Sequence, residues 1–511
     1  MALPIIGQDL NEGKTYLDNK QYHKAVEYFS HILESAPNNV AALNGLAEGQ
    51  HRSGDPMTGI RNYQKSLSLN PTQPDVWISI GNIHYYHNLF PEAEEAYEMA
   101  VQLDPTFPRA HNNLASVLKE QQKMERAIHH FEKAVELDPN YGLACRNLGD
   151  IYLRDGNSTK ALYWLKKAVD VDPENMRGQY WLGKAYYISE KYEKARDQYI
   201  RILSFKPGLH SVHHDLGLVF YGMRHYKEAI EHVNKAIRAN HDLPLYYLTL
   251  SRIYSGLKND NMAMAILDSA LSIDRSLSEI WLAKGNIHKS SERYEEALKD
   301  YKIASAYDSQ NWKGLYKQGV VLFYLGRLDE ALSKLETALS FDSDQSGINH
   351  FLGLVFLAKE NSQAALSFLT EASHQNPDNS DIWFHLGQAQ SHINETEKSK
   401  ISFERSLEIS PNNSETLYAL GQTYKSLNQK EKAKATLKKF KKISDFEKSK
   451  KTLLKQIVVQ PTDHQLKEEL ARLYESIGDF KSSAEIWQQA VYLGNPNAQL
   501  ELERLKSKLN P

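Results

Sequence analysis

The sequence predicts an all-α solenoid assembled from tandem 34-residue helix–turn–helix units, and three observations carry that prediction. Prolines stand at Pro37, Pro71, Pro105, Pro139, Pro173 and Pro207, each 34 residues from the next, and Pro377 and Pro411 keep the same count. Small residues follow the same ruler. One column, 24 positions ahead of each proline slot, holds Gly13, Ala47, Gly81, Ala115, Gly149, Gly183 and Gly217 and continues to Gly421. A second, 12 positions ahead, holds Ala25, Gly59, Ala93, Ala127 and Ala161 and continues to Ala433. Large apolar residues such as Leu148, Tyr152, Tyr192 and Tyr199 fill the space between these columns.

Each unit therefore reads in order as helix, turn, helix, proline. The apolar residues recur at three- and four-residue steps, as an amphipathic helix requires. The small columns mark where two helices cross, because axes about 8–10 Å apart leave room only for minimal side chains. Proline closes the second helix, since it lacks an amide donor and disfavours helix in the residue before it. The middle slots hold His241, Arg275, Ser309 and Ser343 instead. Those turns are either softer or closed by other residues.

These columns resemble the tetratricopeptide repeat, a 34-residue helix–turn–helix with the same Trp/Leu-Gly/Tyr, Ala, Phe and Pro marks. Trp77, Gly81, Ala93, Tyr97, Ala100 and Pro105 carry the pattern in one unit, and Leu148, Gly149, Tyr152, Ala161, Ala168 and Pro173 in another. The resemblance implies a right-handed superhelical solenoid whose first helices line a concave groove that takes extended peptides or helices of partner proteins. In length and regularity the array is similar to the repeat region of O-linked N-acetylglucosamine transferase, without its catalytic domain. Asn11, Asn113 and Asn147 fall in that family's asparagine-ladder slot, which Ser79, Trp181, Asp215 and Phe351 interrupt. Against the carboxylate clamp of chaperone adaptors, Asn82, Asn113 and Asn147 match, while Ile78 and Leu143 replace lysines, so that clamp is incomplete.

The register divides the chain into thirteen contiguous repeats over 6–447, an irregular helical insert over 448–463, a final repeat over 464–497 and a capping helix over 498–511. Leu453, Leu454, Ile457 and Val458 make the insert amphipathic and Pro461 closes it, which predicts an orphan second helix. Repeats escape the roughly 250–300-residue limit of a single core because each unit meets only its neighbours.

Charge and chemistry narrow the function classes. Sixty-one basic and 64 acidic side chains give a net charge of −3, which argues against a whole-surface nucleic-acid platform. No apolar run reaches the roughly 18–20 residues of a membrane span. Residues 1–9 carry no basic leader, and the single cysteine, Cys145, leaves no disulfide framework; a cytoplasmic setting is expected. Phosphate-loop, metalloprotease and serine-hydrolase motifs are missing, so no enzyme, cofactor or metal is expected. His210, His213 and His214 share a helix face at metal-ligand spacing, but as three ordinary histidines they fit interhelix packing. Cys145 takes a bulky slot held elsewhere by Trp77 and Trp281 and is expected as a buried filler.

The expected function is a non-enzymatic protein-interaction scaffold. Its candidate peptide-binding residues lie on first helices of repeats three to six: Asn82, Arg109, Asn112, Asn113, Arg146, Asn147, Asp150, Arg177, Tyr180 and Lys184. Arginines bond carboxylates bidentately and asparagine amides meet both edges of a peptide backbone, so an extended or acidic protein segment is the expected partner. Two alternatives stand beside this: a regulatory or substrate-recruiting subunit of a separate enzyme, and polyanion binding through the lysine-rich stretch 430–455. Open helical ends leave self-association open.

Overall fold

The computed structural model describes residues 10–309, 311–341 and 345–509. The opening residues 1–9, from which no leader was expected, and the slot at Ser343 lie outside them. Among the described residues there are 29 α-helices and no strand. They form two compact units, Met1–Ile266 and Leu267–Pro511. In chain order the first helices are α1 (Leu10–Asp18), α2 (Tyr22–Ser35), α3 (Val40–Ser53), α4 (Pro56–Leu69), α5 (Pro74–Tyr86), α6 (Phe90–Leu103), α7 (Pro108–Glu120) and α8 (Met124–Leu137). Next come α9 (Gly142–Arg154), α10 (Ser158–Val171), α11 (Met176–Ile188), α12 (Tyr192–Phe205), α13 (His210–Gly222), α14 (Tyr226–Ala239), α15 (Pro244–Gly256) and α16 (Asp260–Ile273). Then follow α17 (Ser278–Ser290), α18 (Tyr294–Tyr307), α19 (Trp312–Tyr324), α20 (Leu328–Phe341), α21 (Ser346–Ala358), α22 (Ser362–Gln375), α23 (Ser380–His392) and α24 (Thr396–Ile409). The series closes with α25 (Ser414–Ser426), α26 (Lys430–Val459), α27 (His464–Ser476), α28 (Phe480–Tyr492) and α29 (Ala498–Leu509).

Within each unit consecutive helices pair antiparallel, and each pair packs on the next. The glycine column explains how closely. A Cβ placed on Gly319 would lie 2.6 Å from Leu335 Cγ and 2.7 Å from Cδ2; on Gly387 it would lie 2.6 Å from Phe403 Cε1. Leu335 and Phe403 are buried, so the large side chain of the second helix fills the volume that glycine leaves on the first. The alanine column is fully enclosed at Ala93, Ala127, Ala161, Ala195, Ala229, Ala297, Ala331 and Ala365.

The turn inside each repeat carries a further 34-residue column. Residues 20, 54, 88 and onward in steps of 34 to 428 all have positive φ, thirteen in series. Glycine fills only Gly54, Gly156 and Gly326; the rest, including Lys20, Asn88, Glu190, Lys258 and Asn428, sit at φ between 56° and 62°. The following amide donates back five residues, Lys191 N to Tyr186 O and Asn259 N to Tyr254 O at 2.9 Å, which closes the helix in a Schellman motif. At the repeat boundary an Asx turn does similar work. Asp242 N donates to Asn240 Oδ1 at 3.2 Å and Ser276 N to Asp274 Oδ1 at 2.8 Å, so the slots at His241 and Arg275 are closed without proline.

The expected orphan helix in 448–463 is corrected. α26 runs unbroken over 30 residues, so most of the insert prolongs the thirteenth repeat's second helix. No glycine or proline interrupts 430–460, and Ile443, Phe446 and Ile457 keep the helix seated by burying its inner face. Beyond it α27 and α28 pair, and α29 packs on α28 through Leu502 and Leu505, in one cluster with Trp487.

Candidate protein-interaction face

Helices α5, α7, α9 and α11 stand side by side as the first helices of repeats three to six, and each touches the next across the intervening second helix. All ten candidate residues lie on them. A chain of amide hydrogen bonds links three of the helices. Asn82 Oδ1 on α5 accepts from Tyr97 Oη at 2.8 Å and from Asn113 Nδ2 of α7 at 3.1 Å. Asn112 Nδ2 donates to Asn113 Oδ1 at 3.2 Å, and Asn147 Nδ2 of α9 donates to Asn112 Oδ1 at 3.4 Å. The asparagines thus hold the first helices in register with one another.

Two of the ten are not on the exposed side where the sequence placed them. Asn112 is 2% exposed and Asp150 6% exposed. The Asp150 carboxylate is engaged by Lys119 Nζ at 3.2 Å and Arg154 Nε at 3.1 Å, a buried pairing that locks α7 to α9. Burial at the seam between adjacent first helices takes both groups out of reach of a ligand. Lys119 and Asp75, which pairs with Arg109, are partners the sequence reading missed. Their signal is separation by 31 to 35 residues, the spacing of facing positions on neighbouring first helices.

What remains accessible is basic. Arg109, Arg177 and Lys184 are exposed, and Lys184 lies over the Trp181 ring at 5.1 Å. Arg146 is half-buried and pairs with no carboxylate among the described residues. Burial pushes its guanidinium below the usual range, Arg177 adds to the shift and Asp150 opposes it. Tyr180 meets Trp181 edge-on at 5.8 Å; burial, with the nearby Asp215 carboxylate, raises its hydroxyl.

Family models of the tetratricopeptide repeat match residues 10–39, 107–174, 146–209, 245–277, 282–346, 380–413 and 402–435, and a TPR-repeat model matches 81–122. The chain belongs to the tetratricopeptide-repeat family. A search of the curated proteins finds no match. Among solved structures this tetratricopeptide chain is similar to one from the APC/C hetero-tetramer Cut9–Hcn1, at 13% identity and a TM-score of 0.43, over 80% of this chain and 95% of that one. It is also similar to YrrB, described as a TPR protein with an unusual peptide-binding site. That likeness has 24% identity and a TM-score of 0.32, over 37% of this chain and 98% of that one.

The other sequence candidates sit in the tetratricopeptide packing. His210 Nδ1 meets Tyr246 Oη at 2.6 Å, His213 Nδ1 meets His232 Nδ1 at 3.0 Å, and His214 Nε2 meets Thr249 Oγ1 at 2.8 Å. His210 and His214 bond to α15 and His213 to α14, so each ring is taken up in interhelix packing. Cys145 is fully enclosed among Leu114, Leu118 and Leu148, and burial pushes its thiol up. No helix among the described residues is long and apolar enough to cross a membrane.

Proposed function

We propose that this tetratricopeptide array is a non-catalytic protein-interaction scaffold, and that the shared face of α5, α7, α9 and α11 holds an extended, carboxylate-bearing segment of a partner. The observation that carries the reading is Arg146. A half-buried guanidinium with no carboxylate of its own, next to Asn147 and in the field of Arg177, is desolvated before any ligand arrives. A carboxylate delivered there gains a charge-assisted, bidentate bond at little further desolvation cost. Lys184 extends the positive surface along α11, whereas Arg109 is already paired with Asp75, and Tyr180 with Trp181 offers flat aromatic contact.

The test is fluorescence anisotropy with a labelled ten-residue peptide ending in two aspartates and a free C-terminal carboxylate. An amidated, all-asparagine version serves as control. Replacing Arg146→Gln is expected to weaken the acidic peptide by about tenfold or more, the scale of a hydrogen bond to a charged group. The asparagines are left intact, because they tie the helices together. Equal affinity of the variant and the parent chain would remove the site from this face.

A further inference from the structure

We infer that the lysine-lined cleft along α26 is a second docking site, for an acidic amphipathic helix of a partner protein. Helix α26 is 30 residues long where the second helices of the other repeats have 13 or 14, and it carries eleven lysines against Glu431, Asp445 and Glu447. On other helices some lysines meet carboxylates, among them Lys119, Lys123 and Lys284 at 2.6–3.2 Å. Among the described residues no carboxylate pairs with any lysine of α26, and Glu447 is taken by Ser414 Oγ at 2.9 Å.

The lysines are ordered as well as numerous. At 100° per residue Lys430, Lys434, Lys438, Lys441, Lys448 and Lys455 fall within roughly 100° of arc, a stripe about 38 Å long. At its start the stripe borders an open cleft of about 650 Å³. Ala433 and Leu437 form the floor, and Lys425 of α25 closes a rim with Lys430, Lys434, Lys438 and Lys441. An apolar floor inside a cationic rim matches a helix with apolar anchors on one face and carboxylates flanking them. A single-stranded nucleic acid would need a row of exposed rings to stack on; Phe446 is buried against Tyr474, and Phe440 is engaged with Tyr418, whose half-exposed ring is a single platform. A membrane would need an apolar face along α26, but Ala433, Ile443, Phe446 and Ile457 are turned inward, and the large apolar residues it exposes, Leu454, Val458 and Val459, are confined to its last two turns.

The site lies in the second compact unit and does not depend on the Arg146 reading. Its test uses the full chain and a labelled 18-residue helix-forming peptide with leucines on one face and glutamates beside them. The cleft variant Lys434→Glu/Lys438→Glu is compared with Lys432→Glu/Lys439→Glu, an equal charge change off the stripe. All four lysines are exposed, so both variants keep the fold. At about two- to fivefold per surface pair, reversal of two lysines in the cleft is expected to weaken binding by about four- to 25-fold, and the off-stripe pair by under about threefold. Binding also weakens as salt rises, while Arg146→Gln leaves it unchanged. Failure of the peptide to bind, or equal losses in the two variants, overturns the proposal. So does tighter binding of a twenty-residue oligothymidine or of phosphatidylserine vesicles that the cleft variant abolishes.

Discussion

Adding one methyl group at Gly319 tests the packing rule on which the repeat rests. In Gly319→Ala the new Cβ meets Leu335 Cγ at 2.6 Å and Cδ2 at 2.7 Å, and Leu335 is completely buried and cannot swing aside. Overpacking of this kind costs about 1–3 kcal/mol, and the higher helix propensity of alanine returns roughly 1 kcal/mol, so the net loss is about 1 kcal/mol. Leu335→Ala alone leaves a cavity and costs about 2–5 kcal/mol. In that background the clash is gone, and Gly319→Ala changes sign to become stabilising by about 1 kcal/mol. The expected coupling is therefore about 1–3 kcal/mol. A long array does not unfold in one step, so the assay is hydrogen exchange of amides in α19 and α20, with α3 and α4 as internal reference. If Gly319→Ala loosens these helices equally in both backgrounds, Leu335 is not what limits the helix approach and the glycine column has been misread. Gly208→Ala is the counterpart: nothing lies within 4 Å of its Cβ, so protection of α13 is expected to hold or rise by about 0.4–1 kcal/mol.

Three further outcomes follow from other features. Glu190→Gly relieves a side chain held at φ 56° and is expected to stabilise the α11–α12 pair by about 1 kcal/mol, read as slower exchange there. His350 Nε2 lies 3.0 Å from His385 Nδ1. Burial and the second imidazole push His350 down to about 4, and His385 is lowered by burial against the opposing Asp381 and Glu415. The unfolded chain then binds more protons between about pH 6.5 and 4, so local stability is expected to fall over that range; exchange protection of α21 and α23 that drops as steeply in His350→Gln would refute this. Asn379→Ala removes the side chain that accepts from Asp381 N and Ile382 N, and is expected to cost the start of α23 about 1 kcal/mol, measured by exchange of its first-turn amides.

The parts of the fold legible in the sequence are those where packing leaves one choice of size. Gly149, Gly319 and Gly387 are readable because a crossing helix leaves room only for a small residue there, as Ala47, Ala115 and Ser251 show in the same column. The left-handed turn column was hidden, since Glu190, Arg224 and Lys258 carry no mark of their conformation and only the glycines Gly54, Gly156 and Gly326 hint at it. Continuity of α26 was readable from the lack of glycine and proline over 430–460, but the break in register drew the boundary at 448 instead. At the candidate face the sequence brought Asn82, Asn113 and Asn147 to neighbouring helices. It could not say that they bond one another, nor that Lys119 consumes Asp150. Those contacts depend on the rotation between adjacent pairs, which sets whether position 31 or 35 residues on is the facing one.

The left-handed turns also make the array adjustable. Ten of the thirteen hold a side chain where glycine would sit without strain, at evenly spaced addresses on the outside of the helix pairs. Stability in such an array is close to a sum over neighbours, so one residue at one turn tunes the compliance of one repeat and little else. The stiffness profile along the chain can thus drift, or be engineered, turn by turn while the side chains that face a partner stay as they are.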